Sequence, residues 1–176
     1  MKQCKLWFSG MFGLMLIVLA STTLAEDKPA SIAIGYLNLV NAQLISKHMG
    51  WHEKELGVPI KWVKFDSGGA VNVAIAGGSI DFGGVGNPPS AVGVSKGLPY
   101  EGIFVLNMLG AVESLVARTD KNIKTVKDLV GKKVGVPFGS TTHYLLMAQL
   151  KKEGMDPQKV TIIDMGPVDS LAAWLR

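Results

Sequence analysis

Cysteine and charged residues are both scarce in this chain of 176 residues. Cys4 is the single cysteine, so no disulfide can form within the chain, and charged residues make up only 18%. The formal net charge is +4 and 48% of the residues are hydrophobic, which excludes the polar, highly charged composition of a disordered protein. Glycine is abundant instead, and its 21 copies indicate many tight turns or close backbone approaches.

The N-terminal segment has the features of a secretory signal peptide over residues 1–25. Lys2 and Lys5 precede an apolar run at residues 11–20, and Thr23-Leu24-Ala25 places small residues where a signal peptidase reads them. A transmembrane helix needs about 20 apolar residues, roughly twice the length of this run. We therefore expect cleavage after Ala25 and export to the periplasm. Cleavage would remove Cys4, leaving no cysteine for a nucleophile or a thiolate metal site.

The remaining lysines are scattered along the chain, and no aromatic residues alternate with them. A nucleic-acid-binding surface needs a basic stripe and stacking aromatic side chains. We therefore expect no nucleic-acid partner.

Strand and helix patterns alternate along the rest of the chain. They predict strands at residues 31–37, 60–65, 80–83, 133–136 and 160–163, and helices at residues 41–49, 70–76, 87–96, 125–129, 141–152 and from 168 onward. Two further apolar stretches, at residues 102–109 and 114–117, lie between the two series. Strands separated by helices imply right-handed crossovers and parallel sheets, so the sequence predicts an α/β fold.

Polar side chains follow three of the predicted strands. They are Tyr36, Asn38 and Asn41 after the first strand, Asn87 after the third, and Ser140, Thr141, Thr142 and His143 after the fourth. Ligands bind at the carboxyl ends of parallel strands, where helix N-termini offer unpaired N–H groups and about half a positive charge each. Three converging N-termini would form an anion site without any arginine.

A purely structural role is the alternative for several of these side chains. Asn41, Ser140 and Thr141 are good helix N-caps, and Asn87 as an N-cap with Pro88 at the first helical position is a favourable helix start. Local sequence leaves both interpretations open.

Four segments of the chain resemble the periplasmic substrate-binding proteins of ABC importers for taurine, alkanesulfonates and nitrate. They are residues 50–57 leading to 63–68, residues 76–83, Gly86-Asn87-Pro88-Pro89, and residues 136–144. The last segment is the most specific, because its Ser-Thr-Thr-His-Tyr run at residues 140–144 is similar to the taurine branch of that family.

The resemblance implies a type II periplasmic-binding-protein fold, in which two parallel-sheet α/β lobes close on a ligand by bending at a hinge. Residues 26–115 would form the first lobe and residues 116–176 a partial second lobe, with the crossing near residues 115–118. Members of that family have a second lobe that returns to the first. We therefore expect the chain to be a C-terminally truncated fragment.

The resemblance also implies a receptor, not an enzyme, that captures a small organosulfonate and delivers it to a membrane permease with a cytoplasmic ATPase. The expected ligand contacts are Tyr36, Asn38, Asn41, Asn87, Ser140, Thr141, Thr142 and His143, with Glu113 holding the ammonium group of an aminosulfonate such as taurine. We expect a monomer that needs no cofactor and no metal.

Asn41 departs from the taurine-branch pattern, which has a glutamate at this position. An amide loses the charge-assisted contact with an ammonium group, so a plain alkanesulfonate, nitrate or another small anion is the alternative ligand. An enzyme on the same fold is the alternative from another class. A desulfinase-like relative would be expected to have a cleft cysteine, and no acid at a recognisable spacing orients His143 for catalysis.

Overall fold

The computed structural model describes residues 28–108, 110 and 113–176; the predicted signal peptide lies outside them. The elements in chain order are β1 (Ile32–Leu37), α1 (Ala42–Met49), α2 (Trp51–Leu56), β2 (Ile60–Phe65), α3 (Gly68–Ala76), β3 (Phe82–Gly83), α4 (Asn87–Ser95), β4 (Lys133–Val136), α5 (Thr141–Lys152), β5 (Thr161–Asp164) and α6 (Pro167–Trp174). Short 3₁₀ turns lie at Thr119–Lys121, Val126–Leu129 and Pro157–Lys159. No helix among the described residues is long and apolar enough to cross a bilayer.

The strands form two separate parallel sheets. In the first sheet β1 lies between β2 and β3, with Ile34 paired to Trp62 on one side and to Phe82 on the other. In the second sheet β4 pairs with β5, Val136 standing opposite Asp164. The predicted α/β fold with parallel sheets is therefore confirmed. All strand carboxyl ends within a sheet lie at the same edge, which is where the loops of interest begin.

Each sheet has its own hydrophobic core. Val71, Ala74 and Ile80 are buried at the first sheet, where Leu37 and Phe65 pack against them. At the second sheet the buried residues are Leu129, Val134, Val136, Leu146, Leu150 and Val160. Leu150 is fully inaccessible to solvent, and it anchors α5 on β4 and β5. Because the chain runs from the carboxyl end of a strand through a short loop into the next helix, the helix N-termini lie at that edge of the sheet.

Most predicted elements agree with the structure to within two residues. Gly50 ends α1 in the left-handed conformation, with φ 62°, as a C-terminal glycine should. The chain then re-enters a helix at once, and this short α2 has no counterpart in the sequence prediction. Six residues span less than two turns, so α2 shows no helical period of its own.

Two sequence-based expectations need correction. Asn87 is the first residue of α4, whereas Gly86 is its N-cap and provides no side-chain hydrogen bond. The predicted N-cap role of Asn87 is therefore wrong by one residue, because Gly86 already adopts the extended cap conformation, with ψ 166°. The predicted helix at residues 125–129 is a 3₁₀ turn, in which Asp128 accepts hydrogen bonds from the backbone N–H groups of Lys124 and Thr125.

Candidate functional site

The N-termini of α3 and α4 lie against each other at the edge of the first sheet. A Cβ added to Gly68 would lie 2.5 Å from Cγ of Pro89, so the backbone of Gly68 packs directly against the Pro89 side chain in the first turn of α4. Asn72, which is buried in α3, donates its side-chain N–H to the carbonyl oxygen of Pro89 at 2.8 Å. These contacts fix the two helix ends side by side.

The N-terminus of α5 reaches the same place from the second sheet. A Cβ on Gly69 would lie 3.3 Å from Cα of Gly139, and a Cβ on Gly86 would overlap Oγ1 of Thr141. These approaches are possible because both positions in the first sheet's loops are glycine. Three helix N-termini, one of them from the other sheet, therefore meet at one point, and Asn87 is adjacent to Thr141 through Gly86.

The hydroxyl group of Ser140 is used entirely within its own loop. Ser140 is the N-cap of α5 and accepts a hydrogen bond from the backbone N–H of His143 at 3.1 Å. Its Oγ donates to the carbonyl of Pro137 at 2.6 Å and lies 2.7 Å from Oγ1 of Thr142. A hydroxyl has one proton, so Thr142 is the donor in the second contact. Ser140 and Thr142 together shape the start of α5, and the N-cap alternative holds for Ser140.

His143 keeps one ring nitrogen for contacts outside the loop. Its Nδ1 accepts the backbone N–H of Gly139 at 3.4 Å, and its ring stacks on Phe138 with 4.6 Å between centroids. An accepting Nδ1 places the proton of a neutral imidazole on Nε2, which is then a donor. No carboxylate among the described residues bonds to this ring, so the hydrogen bonds give it no acid partner for nucleophilic catalysis.

Hydrogen-bond donors outnumber acceptors where the three helices meet. The first-turn backbone N–H groups without an intrahelical partner belong to Gly68, Gly69, Asn87, Thr141 and Thr142. Pro88 and Pro89 have no N–H, so α4 contributes one backbone donor and the side chain of Asn87. A cluster of uncharged donors at three positive helix ends suits a small anion that only accepts hydrogen bonds.

Tyr36 and Asn41 lie beside α1, and no hydrogen bond or ring contact joins them to the α5 loop among the described residues. Tyr36 packs edge-on against Trp62 at 6.1 Å, and Nζ of Lys47 lies 5.1 Å above its ring. Asn41 is the N-cap of α1, and its Oδ1 accepts the backbone N–H of Leu44 at 3.1 Å. The N-cap alternative therefore holds for Asn41, which keeps its amide N–H groups and the second lone pair of Oδ1 for a ligand. Asn38 is exposed after β1.

Glu113 and Arg118 lie near the predicted crossing between lobes. Glu113 is partly buried, and desolvation raises the pKa of its carboxyl group above the ordinary value. Arg118 bonds both carboxylate oxygens of Asp120 and donates to the carbonyl of Trp174 at the end of α6, 2.8 Å away. Arg118 is thus attached to the second sheet's helices. The predicted boundary between residues 115 and 116 stays a prediction.

The sequence-based site omitted the loop that follows β2. Ser67 caps α3 by accepting the backbone N–H of Ala70 at 3.2 Å, and Gly68 and Gly69 supply the contacts to α4 and α5. The available signal was a serine and two glycines directly after a strand, which is a favourable start for an anion-binding helix. Asn72 was also missed, because nothing in a small-residue helix shows that one amide is buried.

No group of three or more metal-ligating side chains occurs within the part of the chain that the structure describes. The donor-rich junction of α3, α4 and α5 likewise consists of backbone N–H groups, an amide and hydroxyls. Such groups do not form a first-choice metal site.

Solved binding proteins share this architecture. The alkanesulfonate-binding protein SsuA from Xanthomonas axonopodis pv. citri, bound to MOPS, superposes with a TM-score of 0.64 at 26% identity over 83% of this chain and 51% of that one. The periplasmic aliphatic sulphonate binding protein SsuA from Escherichia coli gives a TM-score of 0.57 at 27% identity, over 84% of this chain and 48% of that one. Together with the parallel sheets, this defines the class as a type II periplasmic-binding-protein fold.

The family model described as NMT1/THI5 like matches residues 41–176, and the chain belongs to this family. The taurine-binding periplasmic protein of Escherichia coli (strain K12) is 36% identical over 151 residues, which is 86% of this chain and 47% of that protein. The chain thus spans about half the length of the curated relatives it matches. The resemblance found in the sequence motifs is therefore confirmed.

Proposed function

We propose that this protein is the extracytoplasmic solute-binding component of an ABC importer, and that it binds a small organosulfonate where α3, α4 and α5 meet. The convergence of these three helix N-termini is the observation that carries the proposal. Its neighbours in sequence and fold have names that refer to taurine or alkanesulfonates.

A sulfonate matches the donor pattern of this junction. It has three oxygens, one delocalised negative charge and no proton to donate at neutral pH. The unpaired N–H groups of Thr141 and Thr142 and the side chains of Asn87 and Thr141 would each donate to these oxygens. His143 would add its Nε2–H. Ser140 acts by holding this loop in place, since its own hydroxyl is already paired.

Taurine is the first candidate among the sulfonates. Its ammonium group requires a carboxylate, an oxygen acceptor or an aromatic face. Glu113 is the candidate that the sequence resemblance suggests, and its raised pKa fits a carboxyl group that has lost water without gaining a cation. Asn41 offers less than the glutamate of the taurine branch, because its amide oxygen already caps α1. A plain alkanesulfonate, nitrate or another small anion is the alternative ligand.

The transport role fixes the proposed location and partners. A cleaved signal peptide would bring the receptor to the periplasm as a monomer, where it would deliver its ligand to a membrane permease driven by a cytoplasmic ATPase. We propose that the protein breaks no bond in its ligand and uses no cofactor. The ring of His143 has a backbone N–H as its Nδ1 partner, which favours binding over acid–base catalysis.

Titration calorimetry on the full chain tests the proposal with taurine, butanesulfonate and nitrate as separate ligands. We expect one site, with taurine bound more tightly than butanesulfonate and both more tightly than nitrate. Tighter binding of butanesulfonate would replace taurine with an alkanesulfonate, and binding of nitrate alone would contradict the sulfonate assignment. Mass spectrometry of each incubated ligand is the companion measurement, since any turnover product would contradict a pure receptor.

A further inference from the structure

The carboxylate of Asp66, at the end of β2, lies close to the loop that follows β5 in the other sheet. Asp66 follows the last residue of β2 and precedes Ser67, the N-cap of α3. A Cβ on Gly166, the N-cap of α6, would lie 3.3 Å from Oδ2 of Asp66. This side chain therefore extends from the first sheet to the loop that follows β5.

The approach of Asp66 to Gly166 is one of three close approaches that the described residues make between the loops of the two sheets. The other two are Gly86 with Thr141 and Gly69 with Gly139, at the N-termini of α4, α3 and α5. The loops after β4 and β5 are joined by the backbone N–H of Phe138, which donates to Oδ1 of Asp164 at 2.8 Å. The loops at this junction thus combine donors at the helix N-termini with the carboxylate oxygens of Asp66 and Asp164.

The carboxylate of Asp66 is weakly engaged by the protein. Its one ion pair among the described residues is with Lys64, whose Nζ is 3.9 Å from Oδ1, and the Asp66 side chain is 60% exposed. Exposed pairs at this separation contribute little. Asp164 differs, because one of its oxygens already accepts a backbone N–H. Asp66 is therefore the carboxylate at this junction that is best able to accept an additional cationic donor.

We propose that Asp66 binds the cationic end of a zwitterionic sulfonate whose anionic end occupies the N-termini of α4 and α5, and so selects amine-bearing sulfonates over plain ones. This inference rests on the proposed function. Two residues, Ser67 and Gly68, lie between Asp66 and Gly69, so the Cα atoms of Asp66 and Gly69 are at most about 11 Å apart. The exposed side chain of Asp66 is therefore within reach of a short zwitterion held at these helix ends. An Asp66 carboxylate also supplies a charge-assisted contact that the amide of Asn41 does not.

The test compares taurine with ethanesulfonate, which has the same two-carbon skeleton without the amine, by calorimetry on the full chain. We expect Asp66→Asn to weaken taurine binding roughly tenfold, because a charge-assisted hydrogen bond becomes a neutral one. The dissociation constant for ethanesulfonate should change less than about twofold. Asp169→Asn, in the first turn of α6, is the matched control for the loss of one negative charge. It should leave the dissociation constants for taurine and ethanesulfonate unchanged.

The other outcomes are distinct. Equal weakening of both ligands by Asp66→Asn would overturn the inference, because Asp66 would then act as a contact between the sheets. Unchanged taurine binding in Asp66→Asn together with a loss in Glu113→Gln would assign the ammonium to Glu113 and also overturn it. Wild-type protein that binds ethanesulfonate but not taurine would overturn the inference while leaving a sulfonate receptor. Wild-type protein that binds neither would overturn both proposals.

Discussion

Asn72 of α3 donates a buried hydrogen bond to the carbonyl of Pro89 in the first turn of α4, 2.8 Å away. Oδ1 of the same amide lies 3.4 Å from the hydroxyl of Tyr100, which donates to the carbonyl of Ser90 at 3.0 Å. Asn72 thus links one helix end of the proposed anion site to another. Its role is to position the donors, since no hydrogen bond among the described residues joins it to the α5 loop.

We predict that Asn72→Ala lowers the free energy of unfolding by about 1 kcal/mol or somewhat more, because a buried hydrogen bond is lost and its partner stays buried. Urea unfolding measures this as a lower midpoint with an unchanged slope. Asn107→Ala is the control, because Asn107 is an exposed amide in an irregular segment. Equal midpoints for the two variants would show that Asn72 does not hold α3 against α4.

Position 86 requires a glycine, because the side chain of Thr141 occupies the space that a Cβ there would need. A Cβ at this position would overlap the Thr141 hydroxyl, so we predict that Gly86→Ala destabilises the fold by roughly 1–3 kcal/mol through overpacking. Thr141→Ala removes the overlapping atom and should recover much of that loss in the double variant. A double-mutant cycle followed by urea unfolding measures the coupling.

Gly102→Ala is the matched control for Gly86→Ala, because a Cβ at Gly102 meets nothing within 4 Å. It should leave the midpoint nearly unchanged. If the effects of Gly86→Ala and Thr141→Ala on the free energy of unfolding are additive, the N-termini of α4 and α5 are not in contact in solution.

Asp128 makes the turn at residues 126–129 sensitive to acid. Hydrogen bonds from the backbone N–H groups of Thr125 and Lys124, and from the Thr125 hydroxyl, hold the pKa of the Asp128 carboxyl below its ordinary value of 3.8. The ionised carboxylate therefore stabilises the folded state at any pH above the pKa that Asp128 has in the unfolded chain. This stabilisation is lost as the pH falls through the lower pKa of the folded state. We predict that Asp128→Asn is less stable than wild type at pH 7, with a difference that narrows steadily under acid conditions.

Urea midpoints measured from neutral pH to below the ordinary pKa of an aspartate check this. Glu55→Gln, on the exposed surface of α2, controls for the removal of one negative charge at pH 7. A difference between wild type and Asp128→Asn that stays constant with pH would mean that the carboxylate charge does not stabilise the turn.

Local residue chemistry was enough to predict most of the fold. Ser140 before an amphipathic run predicts the start of α5, and Gly50 predicts the end of α1, because caps act through their own neighbouring backbone groups. The predicted N-cap of α4, Asn87, lies one residue after the observed one, Gly86, because a glycine can serve as an N-cap without any side-chain signal. The segment at residues 102–108 has strand-like composition but no regular structure, and Ile103, Phe104 and Val105 are mostly exposed there. Apolar character alone does not supply a pairing partner.

The proposed site was only partly predictable. The polar loops after β3 and β4 were identified, because ligand sites follow strand ends in parallel sheets. The pattern could not distinguish Ser140, whose hydroxyl is paired within its loop, from Thr141, whose hydroxyl meets Gly86. Nor could it show that Tyr36 packs on Trp62 beside α1.

The sequence by itself determined the alternation of strands and helices, the parallel sheets and the family resemblance, because these follow from periodicity, caps and short motifs within a few residues. Only the tertiary structure decided which helix N-termini meet. Gly69 contacts Gly139 and Gly86 contacts Thr141 across about 55 to 70 residues of chain, and Asp66 reaches Gly166 across 100. Such long-range approaches depend on how both sheets and their cores pack, and no local pattern records them.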